Sequence, residues 1–402
     1  MKPLDTNTPV LVLNCKIGGL AIMRSLGSLG IPVYGVDADE KAPGLLSRYC
    51  RQRYVRQYDE SRSMEYLESI LNLGKGIGKK TILIPTSDEL SLFAAVHAES
   101  LSEYFIFPKN TSDLVRNLAS KEGMYHLARK HRVPSPFTEF PKNMEDVVVY
   151  AGSAKFPIML KGIHGNRLEE RTGKKMVLVR TRDELIANYK ILEDPERPNL
   201  MLQEYIPGED DQIYIFNGYF NGESECLCGF TGNKIRQSPI HVGCASLGVC
   251  RWIPEVAEIT TKFMKVLGYK GILDIGYRWD ERDGQYKVLD INPRIGQAFR
   301  LFVAENGMDV ARSLYLDLTG QEQQGPIHPR EGRRWVIEDY DVVSSYQYYL
   351  EGGLDFLTWL RSFRNLEEGA WFRWNDPVPF LDMLLRLGRK SIRKIGKFVK
   401  SP

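Results

Sequence analysis

No stretch of the 402 residues approaches the ~18 consecutive apolar residues of a membrane-spanning helix. Lys16 and Arg24 interrupt the apolar N-terminal stretch, so it does not read as a secretory leader. Cysteine is sparse: six residues at 15, 50, 226, 228, 244 and 250, without CxxC spacing. That argues against a disulfide or zinc framework and for reduced thiols in a cytoplasmic protein. No Ser/His/Asp or Cys/His motif points to covalent nucleophilic catalysis. A basic body is missing too. The net charge is +3, but residues 383–402 carry seven Lys/Arg and no acid, which leaves −4 on the remainder. A nucleic-acid binder would be expected to show its basic face on the body. What is present is ordinary globular material: 43% hydrophobic, 26% charged, and long enough for two to three domains.

Residues 10–37 read as strand, helix, strand, with Gly18 and Gly19 after the first strand and Asp37 after the second. The pattern invites a dinucleotide reading, but CKIGGLA is not GxGxxG, which favours a Rossmann-like scaffold without NAD. Thr81–Pro85 reads as a buried strand. In the PTSDEL that follows, Thr86 and Glu89 fit a capping box, with Ser87 and Asp88 at the strand's carboxyl end. A short strand near Phe105 and a helix starting at Thr111 close this unit.

The most informative stretch is GILDIGYRWDERDGQYKVLDINPR, residues 271–294. It reads as a hairpin with Leu273, Ile275, Tyr277 and Trp279 on one face and Asp274, Gly276 and Arg278 on the other. On the return strand Leu289 and Ile291 are apolar, while Asp290 and Asn292 are not. A two-residue Asp-Gly turn would put Asp274 and Asp290 on opposite faces. A three-residue loop, Arg282-Asp283-Gly284 with Gly284 left-handed, puts Asp274 across from Asn292 with Asp290 beside them. The second register buries both apolar sets together, so it is the expected one. Two carboxylates and an amide oxygen on one face, with Arg294 beyond, suit a hard cation and phosphate. A solvated sheet face is the competing reading.

Asp-x-Asn-Pro-Arg closing a hairpin resembles the metal-binding end of the ATP-grasp superfamily, which includes biotin carboxylase, carbamoyl-phosphate synthetase and D-alanine–D-alanine ligase. Two further blocks carry the same resemblance: FPIMLK (156–161) and MLQEYIPGEDDQIYIF (201–216). The resemblance implies α/β and α+β architecture: a Rossmann-like domain over 1–115 and a two-lobed ATP-grasp domain with antiparallel sheets over 116–320. The lobes would divide near 200, and 321–402 would form a C-terminal extension.

It also implies a site. Asp274, Asp290 and Asn292 would hold Mg²⁺, with Mn²⁺ as a substitute. Relatives usually carry an acid or amide at the position of Gly276, and here Asp274 replaces it. Lys121 would reach the phosphates, and Lys161 the α-phosphate and adenine edge. Residues 162–175, including Gly165, Gly173, Lys174 and Lys175, would form a phosphate lid. Tyr205 and Ile206 would bond adenine through the main chain, Glu204 would orient that hinge, and Asp211 would take the ribose. Arg294, Lys234 and Arg236 would meet the γ-phosphate and the carboxylate, with Gly296, Phe299 and Arg300 extending the site.

The implied reaction is ATP-dependent activation of a carboxylate as an acyl phosphate, followed by attack of an amine. A thiol or bicarbonate in the second site, or a silent ATP-binding module at a membrane, are the alternatives. The tail places Leu384, Leu385, Ile392, Ile395 and Val399 at helical spacing among seven basic residues. That pattern suits either peripheral contact with an anionic membrane through 384–400 or a solvated helix docked on the body. Small-molecule carboxylate and amine partners and no nucleic acid are expected, and a homo-oligomer is compatible.

Overall fold

The computed structural model describes residues 3–174, 176–323 and 325–398. Three sheets organise them. The first is parallel, in the order β3-β2-β1-β4-β5, from β1 (Val10–Leu13), β2 (Val33–Asp37), β3 (Cys50–Val55), β4 (Thr81–Pro85) and β5 (Phe105–Ile106). β1 is buried throughout, as expected of a central parallel strand covered on both faces.

Asp37 ends β2 where a dinucleotide reading would place the ribose contact. Its carboxylate instead accepts from the backbone N–H of Cys15 (2.6 Å) and Asp39 (2.9 Å) and is buried. It is a turn-stabilising acid, in keeping with the scaffold reading. The cap of the helix Asp88–Val96 differs from expectation. Ser87, not Thr86, accepts from Leu90 N–H, because Thr86 Oγ1 donates to the Asn14 carbonyl at 2.7 Å.

The second sheet, β6-β9-β7-β8, contains β6 (Thr138–Glu139), β7 (Ile158–Gly162), β8 (Met176–Val179) and β9 (Leu200–Glu204). Ile158, Leu160, Leu200 and Leu202 pack in one core with Val147 and Ala151 of the helix Met144–Ser153 and Leu185 and Leu192 of the helix Arg182–Leu192. Strand alternation sends Met159, Lys161, Met201 and Gln203 to the opposite face. The expected phosphate lid is partly helical: Gly165–Thr172 forms a helix ended by left-handed Gly173, with Leu168 buried in the same core.

The third sheet has seven strands in the order β14-β13-β10-β11-β12-β15-β16. They are β10 (Ile213–Phe220), β11 (Cys226–Ser238), β12 (Cys244–Cys250), β13 (Gly271–Asp280), β14 (Gln285–Asn292), β15 (Arg334–Val336) and β16 (Leu366–Gly369). The region beyond 320 is thus no separate appendage, because it adds β15 and β16 to the sheet begun by β10. One core joins Val10, Ile22 and Val33 of the parallel unit to Phe230, Phe302, Trp335 and Ala370. The helix Ile17–Gly27 is clamped into it by Arg24, whose Nε donates to Asp376 at 2.9 Å.

The hairpin has the expected pairing of Asp274 with Asn292, but for a different reason. The loop has four residues, since Asp280 pairs with Gln285, and Gly284 is left-handed within it. A bulge at Leu289 then shifts the register, so Gly276 faces Asp290 and Tyr277 faces Val288. Val288, rather than Leu289, therefore enters the core beside Ile291.

Candidate active site

The site begins on the exposed-polar face of β13 and β14. Asp274 lies across from Asn292 and Gly276 across from Asp290, so both carboxylates and the amide share one face. Asn292 Nδ2 donates to Asp290 Oδ2 at 3.1 Å, and its Oδ1 accepts from Arg294 Nη2 at 3.1 Å. Asn217 Nδ2 approaches Asp274 Oδ2 at 3.5 Å, a long contact. The backbone of Gly296 lies directly on its carboxylate: a Cβ there would come within 2.5 Å of Oδ2. Burial, reinforced by Asp290, pushes Asp274 up to about 6, against the pull of Arg294 and Lys234. Burial works in the same direction on Asp290, but Lys121, the Asn292 amide, Arg294 and Lys234 outweigh it and the net shift is downward.

Lysines face this pair from three elements. Lys121 opens the helix Lys121–Lys130, capped by Ser120, and its Nζ stands 4.0 Å from Asp290 Oδ1. Lys161 projects from β7 and donates to Gln203 Oε1 at 2.7 Å. Burial, then repulsion from Lys121, lowers it to about 8. Lys234, on β11, donates to the Gly243 carbonyl at 2.8 Å and to Gln237 Oε1 at 3.2 Å, and burial lowers its pKa too. None of the three is closed by a short ion pair with a carboxylate among the described residues.

The hinge after β9 is held by side chains on both of its flanks. Glu204 points away from Lys161, accepting from Phe137 N–H at 3.1 Å and from Arg282 at 2.6 Å. Gln203, one residue earlier, occupies the lysine's face. Arg278 holds the hinge: its Nε donates to the Ile206 carbonyl at 2.9 Å and its Nη2 to the Gly208 carbonyl at 2.5 Å. Tyr205 lies between these fixed points. Of the acids that follow, Asp210 is taken by His241 and Tyr348, while the side chain of Asp211 is exposed. Alternation along β9 and the Arg278 position opposite the hinge were the available signals for Gln203 and Arg278.

Two expected participants lie elsewhere. Arg236 is buried and makes a two-pronged ion pair with Asp341, at 2.8 Å each, plus a bond to Ser362 Oγ at 2.7 Å. Irregular β11–β12 pairing around Arg236 breaks the simple alternation that would place it beside Lys234. Arg300 is likewise spent on Glu368 and Asp309. Lys175 lies outside the described residues. Arg294 reaches the cluster but also the parallel unit, with Nε donating to Asp88 at 2.7 Å. Gly18 packs near Gln297, Gly296 and Thr86, so the glycine turn after β1 adjoins the same end of the cleft.

The donor set fits a magnesium–nucleotide pair. Among the described residues no three His, Cys, Asp or Glu side chains form a cage by themselves. Two carboxylates and an amide would leave coordination positions for phosphate oxygens and water, the usual arrangement for Mg²⁺. Asn217 Oδ1, beside Asp274, is buried without a hydrogen-bond donor. Gly276 leaves room at the same face, since a Cβ there would meet only Asp290 Cβ, at 3.8 Å.

This architecture, a parallel unit followed by a four-stranded antiparallel sheet and a largely antiparallel seven-stranded one, with Lys121 and Lys161 brought near Asp290, is the ATP-grasp fold. N5-carboxyaminoimidazole synthetase from Staphylococcus aureus, solved with ADP, superposes with a TM-score of 0.62 at 13% identity, covering 83% of this chain and 82% of that one. The biotin carboxylase domain of 2-oxoglutarate carboxylase from Hydrogenobacter thermophilus, solved with MgADP, ADP and bicarbonate, gives 0.61 at 16% identity, over 81% and 72%. In sequence, the chain is similar to a D-aspartate ligase from Enterococcus faecium, 24% identical over 290 residues, 68% of each protein. No family model matches.

Proposed function

We propose that this protein is an ATP-dependent ligase that joins a carboxylate to an amine. The observation that carries the reading is the convergence of Asp274, Asp290 and Asn292 with Lys121, Lys161 and Lys234 on one cleft. An unactivated carboxylate is a poor electrophile. Transfer of the γ-phosphoryl group to its oxygen, releasing ADP, gives an acyl phosphate. The amine nitrogen then attacks the acyl carbon, and the C–O bond to phosphate breaks.

Such a reaction needs positioning and charge stabilisation more than a covalent enzyme intermediate. Lys161 and Lys121 would hold the phosphates, and Lys234 would meet the charge on the transferring group. Mg²⁺ on Asp274, Asp290 and Asn292 would screen phosphate charge and orient the leaving group. Tyr205 and Ile206 would receive the adenine, at a hinge kept rigid by Arg278, and Asp211 would face the ribose. Arg294 and Asp88 together present a cation and an anion at the cleft end, a pair suited to a zwitterionic amino acid. The D-aspartate ligase similarity makes an acidic amino acid the first substrate to try.

A phosphate-release screen of amino acids and carboxylates, singly and in pairs, tests the proposal. The expected result is Mg-dependent ADP and phosphate formation requiring one acid and one amine, with a ligated product by mass. Turnover supported by bicarbonate or a thiol, and by no amine, would replace the acceptor assignment.

A further inference from the structure

The helix Val378–Phe398 carries two apolar faces, and the body covers one of them. Pro379 and Met383 are buried, Phe380 partly so, and Phe380 packs on Phe372 with ring centroids 5.2 Å apart. Arg386 fixes the same flank, donating to Asp382 at 2.5 Å and to Asp39 of the parallel unit at 3.2 Å. The helix is therefore docked, in one orientation.

The second apolar face points outward. Val378, Leu381, Leu384 and Leu385 are all exposed, Leu384 at 45% and Leu385 at 60%. At about 100° per residue these four fall within one stripe, on the side of the helix opposite Pro379 and Met383. In the sequence, Ile392 and Ile395 keep the same helical spacing, and Val399 and Lys400 lie outside the described residues. Arg389 and Arg393 fall toward its margin and Lys390, Lys394 and Lys397 on the polar side, with no acid from 383 onward in the sequence. Just before the helix, Trp374 is 88% exposed, held at its edge by Phe372 with centroids 4.8 Å apart.

We infer that this outward face, from Trp374 through the basic end of the helix, docks on an anionic lipid surface. Charge complementarity selects the occupant. An apolar stripe bordered by Arg389 and Arg393 and backed by a cationic polar side, with an exposed aromatic residue just before the helix, matches the boundary between acyl chains and anionic headgroups. A second copy of the chain would bring the same cations against themselves. The contact is peripheral, because no helix among the described residues is long and apolar enough to cross a membrane.

Co-sedimentation of the full chain with vesicles tests this. Phosphatidylcholine vesicles containing about one-third phosphatidylserine should pull the protein down, and pure phosphatidylcholine should not. Binding should fall at least tenfold in Leu384→Gln/Leu385→Gln, and again in Arg389→Gln/Lys390→Gln/Arg393→Gln. Both sets lie outside the cleft, so circular dichroism and thermal melting should match the unaltered chain. Absence of binding to the anionic vesicles would overturn the inference. So would binding that ignores the leucine substitutions, or a dimer in light scattering that those substitutions dissolve.

Discussion

Two charge clusters on the seven-stranded sheet are wired in opposite ways. On the β12–β15–β16 side the arginines are closed by acids. Arg236 takes both oxygens of Asp341, and Arg300 and Arg333 share Glu368. At the Asn292 end of β13 and β14 the nearest lysine to Asp290 stands 4.0 Å away and Asp274 has only a long amide contact, whereas at the turn end Asp280 is closed by Arg282 and Lys287 at 2.6 Å each. Charges satisfied by protein build structure. Charges brought together and left incompletely paired wait for something else, and here the missing pieces are a cation and phosphates.

The largest effect that would break this comparison is on turnover. Asp290→Ala should lower Mg-dependent ADP formation by about 10²-fold or more, with melting unchanged. Arg236→Ala should do the reverse, losing about 3–5 kcal/mol in chemical denaturation because it leaves Asp341 buried and unpaired. The surviving folded fraction of that variant should retain its turnover per molecule. Next in size, Arg278→Met frees the carbonyls of Ile206 and Gly208, and should raise the KM for ATP by about tenfold with kcat little changed.

Titration sharpens the contrast further. Lys161 is lowered to about 8 by burial and by Lys121. In the free protein, nucleotide affinity should therefore weaken as pH rises through about 8, and Lys161→Arg should remove that step. The smallest effect belongs to the latch between His241, Asp210 and Glu351. Burial lowers the His241 pKa, but Glu351 and Asp210 prevail and the net shift is upward. A raised folded pKa contributes stability below the unfolded value near 6.5, lost as pH rises through the folded pKa. Because the imidazole is half-exposed, His241→Gln should cost at most about 1 kcal/mol at pH 5 and nothing at pH 9.

Local signals carried much of this into the sequence. The βαβ unit, the helix starting at Thr111 and the antiparallel hairpin depend on residues a few positions apart, and the structure has them. The facing of Asp274 and Asn292 was expected from a three-residue loop, but it arises from a four-residue loop compensated by a bulge at Leu289, which no local signal announces. Arg236 was misplaced because its partner lies 105 residues away and irregular strand pairing intervenes. Glu204 was expected to orient the hinge, and Gln203, which strand alternation puts on the Lys161 face, was not singled out. β15 and β16 are three and four residues long, too short to carry a period.

Calorimetric titration of ADP with and without Mg²⁺, into the native chain and into Asp290→Asn, addresses the open end most directly. The account predicts that Mg²⁺ tightens ADP by at least about tenfold, ~1.4 kcal/mol, in the native chain and adds nothing in the variant. Equal Mg²⁺ enhancement in both proteins would contradict it.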